Sequence, residues 1–79
     1  MTEITEPDVT IDSKDATCPG PLMDLIGKVK TLDQGTVVEL QTTERNSTTD
    51  VPEWLEKAGH DLLEIEEHDD HWNIYIEVN

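Results

Sequence analysis

The chain has a single cysteine, Cys18, in the stretch DATCPGPLMDL (residues 15–25), with Pro19 directly after it and Pro21 three positions on. A thiolate is a nucleophile and a covalent carrier, and its reactivity is set by its surroundings. One thiol cannot close an internal disulfide, so the cysteine is not a staple. The two prolines would break the interior of a helix, but both suit a helix start. Pro19 fits the first helical position, where its fixed φ is favourable and its missing N–H is not needed. Pro21 still falls in the first turn, whose N–H groups have no partner within the helix. Cys18 is then the expected N-cap, its sulfur facing the positive end of the helix dipole, with the N–H groups of Gly20 and Leu22 nearest. Both effects favour a thiolate and lower its expected pKa. Asp12, Asp15 and Asp24 oppose this, only Lys14 offsets them, and no histidine is adjacent as a base. The expectation is a moderately activated thiol. That suits a sulfur that must both accept and release a group, because nucleophilicity falls as pKa falls. Most free cysteines are buried small hydrophobes, yet a proline-framed helix start beside three aspartates is a poor place for a core residue.

Other residue types carry less. Cys18, His60, His68 and His71 could be drawn together as a zinc site, but no CxxC or tight histidine pair supports one. Histidines in surface turns are the simpler reading, and neither a metal nor a cofactor is expected. Trp54 and Trp72 could stack on bases, but each lies on an apolar face at its element's spacing, which points to packing. No phosphate-binding glycine loop, Ser-His-Asp set or catalytic carboxylate pair can be picked out.

Composition bounds the setting. The 79 residues hold 5 Lys+Arg against 19 Asp+Glu, a formal charge of −14, with 34% apolar residues and no Phe. Such values are those of a disordered chain unless pattern argues otherwise. A chain so acidic repels nucleic-acid phosphates, so direct non-specific binding is not expected. The charge favours a monomer but destabilises the compact state by self-repulsion, a lever of halophiles, and a salt-rich cytoplasm is the expected setting. MTEITEPDVT lacks the basic and apolar regions of a signal peptide, and no apolar run approaches a membrane span. A cytosolic location follows as an expectation.

The elements that must position Cys18 read as β-α-β-α-β-β. Residues 1–8 are expected to form a flexible acidic tail, and 9–79 one domain. VTIDS (9–13) alternates as a half-buried strand. Residues 19–32 carry Leu22, Leu25, Ile26, Val29 and Leu32 at helical spacing, with Lys28 and Lys30 near the negative end and Gly35 as a left-handed cap. TVVELQT (36–42) is a second strand. TERNSTTD (43–50) reads as a loop ending in Asp50, the expected N-cap of a helix with Pro52 in its first turn, Val51, Trp54, Leu55 and Ala58 on one face, and Gly59 as its stop. DLLEIEE and HWNIYIEVN form a hairpin around Asp69-Asp70, with Trp72, Ile74, Ile76 and Val78 on one face. This pattern outweighs the disorder-like composition. The expected fold is an α/β (α+β) two-layer sandwich: a mixed four-stranded sheet with two helices on one face and the other face solvated.

TID before the first helix, CPGPLMDLI opening it and DVPEWLEKAGHDLLEIEE later resemble the TusA/SirA-like sulfur-carrier family, over residues 9–79. Its hallmark is Cys-Pro-x-Pro at the start of the first helix. The resemblance implies that Cys18 receives sulfane sulfur, holds it as a persulfide and passes it on, as a carrier without an independent catalytic cycle. Pro19, Gly20 and Pro21 match the motif around the thiol, and Asp12 matches the family's first-strand aspartate. Implied partners are a sulfur-donor protein, such as a cysteine desulfurase or rhodanese-like protein, and a downstream acceptor protein. Lys14-Asp15 departs from the family's usual glycine turn, and only Glu44 stands near its acid after the second strand. A non-catalytic interaction module with a redox-sensitive cysteine is the alternative from another class.

Overall fold

The computed structural model describes residues 7–14 and 20–79. Six elements follow in the expected order: β1 (Val9–Ser13), α1 (Gly20–Val29), β2 (Val37–Thr42), α2 (Ser47–Ala58), β3 (Asp61–Glu67) and β4 (Trp72–Glu77). The sheet order is β1-β2-β4-β3. β1 and β2 are parallel, and β4 runs antiparallel to both β2 and β3. β2 and β3 therefore point the same way, with β4 between them.

Alternation explains which residues meet. Val38 pairs with Val9 and Ile76, and Leu40 with Ile11 and Ile74, so these rows share one face. Leu25 and Val29 of α1 and Val51 and Leu55 of α2 close over that face as one buried core. Both helices are amphipathic at the 3.6-residue period, so each offers one apolar stripe to one sheet face.

Several expectations are corrected. α1 ends at Val29 rather than Leu32. The chain continues in a tighter turn, with Thr31 N donating to Lys28 O (2.9 Å) and Leu32 N to Val29 O (3.1 Å). Gly35 is left-handed (φ +91°) but caps no helix. It turns the chain into β2 and donates from its N–H to Val78 O (2.7 Å). The start of α1 at Pro19, with Cys18 as its cap, lies outside the described residues.

α2 begins one turn earlier than expected, and its N-cap is Asn46 rather than Asp50, which falls in the first turn. The added turn is held by short-range bonds, from Ser47 N to Glu44 O, Thr48 N to Arg45 O and Thr49 N to Asn46 O. Pro52 consequently sits inside the helix. Ala58 is exposed rather than packed. Gly59 does stop α2, at φ +83° with its N–H on Leu55 O. A Cβ added there would meet nothing within 4 Å, so only backbone strain opposes one. Gly59→Ala is expected to destabilise by about 1 kcal/mol, lowering the urea midpoint at unchanged slope.

The helix-free face is less evenly solvated than expected. Tyr75 and Asn73, on the central strand, are each only 9% exposed. Their flanking partners are Glu39 and Glu64 for Tyr75, and Gln41 and Glu66 for Asn73. The Tyr75 hydroxyl donates to Glu66 Oε1 (3.2 Å). Desolvation, then the charges of Glu39 and Glu66, push its phenol up to about 12. Asp8, in the expected tail, is bound twice to Val37: its N–H donates to Val37 O (2.8 Å), and its Oδ2 accepts from Val37 N (3.0 Å).

Candidate functional site

Gly20 and Pro21 are the first residues of α1, and Asp12 lies in β1. Cys18 and Pro19 fall outside the described residues. What the structure defines is the frame that holds both ends of their segment, and this frame is tied together.

β1 leaves the sheet through an Asx-type turn in which Lys14 N donates to Asp12 Oδ1 (3.1 Å). A short side-chain acceptor two residues back shapes such an exit at little cost. Ser13, on the helix-facing side, is 2% exposed. Its hydroxyl donates to Asp24 Oδ2 of α1 (2.7 Å), so the two flanking elements are bonded to each other. Thr43, just past β2, donates from Oγ1 to Lys14 O (2.8 Å) and ties the third neighbour in. Pro21 is among the fully buried side chains, so it anchors the start of α1 as well as suiting it. Asp24→Ala is expected to leave the buried Ser13 hydroxyl without its acceptor, at a cost of about 1–3 kcal/mol. Thermal melts should show part of that loss recovered in Ser13→Ala/Asp24→Ala, where neither partner is left alone.

Sequence reading did not single out Ser13, Thr42 or Thr43. For Ser13 the signal was present: it shares the phase of Val9 and Ile11, a polar residue on an apolar face beside the motif. Ser13 pairs with Thr42, Thr42 with Trp72, and Trp72 with Glu67, one row across all four strands. Thr42, fully buried, accepts from Glu44 N (3.0 Å) and donates to Ser47 Oγ (3.4 Å), which seats the start of α2 on the same row. In open α/β sheets this end, beyond the carboxyl ends of the parallel strands, is where ligands and reactive groups gather.

Trp54 packs against the core as expected. Trp72 does not join it in the same way. It is half-buried and lines a cleft of about 480 Å³ with Arg45, Thr48, Ile65 and Glu67. At the hairpin turn the rings of His68 and His71 stack with centroids 4.8 Å apart. His71 Nδ1 donates to Asp70 Oδ1 (2.6 Å). That bond, then the charge of His71 and more weakly that of Lys14, holds the Asp70 carboxyl below its usual value. His60 is elsewhere, accepting from Asn79 N at Nδ1 (3.0 Å). Among the described residues no three metal-binding side chains come together, and no helix is long and apolar enough to cross a membrane.

A family model described as Sulfurtransferase TusA matches residues 9–78. The chain belongs to the TusA family. An Archaeoglobus fulgidus protein, named as a proposed sulfur carrier, is 41% identical over 68 residues, 86% of this chain and 93% of its own. Sulfur carrier protein TusA of Pseudomonas putida is 33% identical over 67 residues, covering 85% of this chain and 82% of its own. Among solved structures, the SirA-like protein of Desulfitobacterium hafniense matches with a TM-score of 0.79 at 21% identity, over 90% of this chain and 97% of its own. That likeness shows the TusA-family chain to share its fold, the mixed four-stranded sheet with two helices.

Proposed function

We propose that this TusA-family chain is a sulfur carrier whose residue Cys18 accepts sulfane sulfur as a persulfide and relays it to an acceptor protein. The observation that carries the reading is the frame around the motif. The one thiol of the chain stands in the six-residue link between β1 and α1, and those elements are bonded to each other through Ser13 and Asp24. Family membership and relatives named as sulfur carriers support the same reading.

In the proposed exchange the Cys18 thiolate attacks the outer sulfur of a donor persulfide. A new S–S bond forms, the donor's S–S bond breaks, and the donor leaves as a thiolate. Delivery repeats the step with the acceptor's thiolate as nucleophile, so no outside oxidant or reductant is needed. Pro19, Gly20, Pro21 and Asp12 act as positioning residues for the thiol. The carrier domain spans 9–79 and works as a cytosolic monomer between a donor, such as a cysteine desulfurase or rhodanese-like protein, and an acceptor. Pathways such as tRNA thiolation, molybdenum cofactor assembly or sulfur metabolism would be served in this way.

The test is intact-mass spectrometry of the whole chain after incubation with a desulfurase and cysteine, and separately with inorganic polysulfide. A gain of one sulfur atom, removed by dithiothreitol and released by cyanide as thiocyanate, is the expected result. A wild-type chain that never gains it would end the carrier reading.

A further inference from the structure

The cleft at the Ser13–Thr42–Trp72 end of the sheet has features that packing alone does not require. It is lined by Trp72 and Ile65 from β4 and β3, by Arg45 and Thr48 at the start of α2, and by Glu67 at the end of β3. Trp72 lies two strands across from Ser13 in one register row, which at 4.7–4.9 Å per strand is about 10 Å. Ser13 is the last residue of β1, so the cleft opens at the sheet end from which the link to α1 departs. Arg45 is the only arginine of a chain with formal charge −14. It is exposed, and among the described residues no ion pair engages its guanidinium. Lys14 stands close by, since Thr43 bonds its carbonyl and its charge reaches Asp70. Lys14 and Arg45 are thus two cations at an end that also holds Asp12, Asp24, Glu67 and Asp70, and Arg45 is the one that lines the cleft.

We propose that this cleft, lined by Trp72, Ile65 and Arg45, is the docking pocket for a partner protein that presents an apolar side chain next to a carboxylate. The apolar side chain covers Trp72 and Ile65, and the carboxylate accepts the bidentate hydrogen bonds for which a guanidinium is shaped. Half-buried tryptophan and unpaired arginine are the residue types that dominate binding energy at interfaces. Glu67 repels a second carboxylate, so the pocket selects one acid rather than an acidic run. The partner's identity as the sulfur-exchanging protein rests on the carrier reading; the pocket itself does not.

Two-dimensional NMR of the full chain, titrated with the capped peptide Gly-Leu-Glu-Leu-Gly, tests the pocket directly. The Trp72 indole N–H and the Arg45 amide are expected to shift. The Trp54 indole, about 9 Å further along α2 from Thr48, stays put as an internal control. The Gln and Lys counterparts of the peptide, and Arg45→Gln against the Glu peptide, should bind about fivefold or more weakly. Arg45→Glu should restore binding to the Lys peptide. Equal shifts for all three peptides, no shift at millimolar peptide, or a Trp72 signal that moves with chain concentration alone, as for a second copy, would overturn the proposal. Polysulfide loading of Cys18 in the same samples is read separately by mass, so failure of the carrier reading and failure of the pocket are distinct results.

Discussion

Cys18→Ser is expected to fold as the wild type does and to carry no sulfur at all. Serine is an established N-cap, so if the residue caps α1 the melting temperature should hold or rise slightly. A hydroxyl has no accessible thiolate-like form at neutral pH and cannot hold a sulfane sulfur, so the loss is complete rather than graded. The chain has no second thiol to substitute. Mass spectra of both proteins after a sulfur donor, beside their melts, give the answer. Sulfur on the serine variant would place the label elsewhere, and a variant that unfolds would make the cysteine a packing residue.

The second large effect concerns salt. Asp12, Glu39, Glu64, Glu66 and Glu77 share the helix-free sheet face, and Asp61 pairs with Glu77 at its end. Neighbouring charges about 7 Å apart repel by about 0.6 kcal/mol each in water. Several such pairs sum to about 2–3 kcal/mol, and raising salt from 0.1 to 1 M shortens the Debye length from about 10 Å to about 3 Å. Molar KCl is therefore expected to raise the melting temperature by roughly 10–20 °C for a domain of this size. Sulfur transfer from a similarly acidic donor should be unharmed. Steering of a basic partner would give the reverse, a fold indifferent to salt and an association that slows steeply. Melts and transfer rates over one salt series separate the two, and a salt-insensitive melt with a salt-inhibited rate would reject adaptation to salt.

Element types and order were readable because the apolar period changes cleanly along the chain. It is two in VTIDS and WNIYIE and near 3.6 in PLMDLIGKV, and each period permits one backbone. The start of α2 was misread because Asp50 before Val51-Pro52 is a strong local cap signal. The extra turn depends instead on Thr42, buried in the adjacent strand, which receives Ser47 and Glu44. The strand order was likewise hidden, since nothing local to β4 says that it enters between β2 and β3. At the site, a lone cysteine with two prolines announced itself. The frame of Ser13, Asp24 and Thr43 consists of ordinary residues that matter only once three elements meet. Trp72 was read as core because alternation reports the face of a strand, not whether a helix covers that part of the face.

The strand that joins the two halves of the sheet is the last in chain order. β4 makes every hydrogen-bonded ladder of β3 and one of the two ladders of β2. Until it enters, β1-β2 and β3 are separate fragments with no shared sheet, and its pairing with β2 joins residues as distant as Val37 and Glu77. Closing so long a loop is a cost met before any contact repays it, which slows folding and makes it all-or-none. On a ribosome the cleft, which needs Trp72, therefore forms only after the fourth strand has emerged, whereas the frame of Ser13, Asp24 and Thr43 draws on β1, α1 and the end of β2 alone. The elements that flank the thiol are thus joined within the first half of the domain, while the surface proposed for a partner waits for β4.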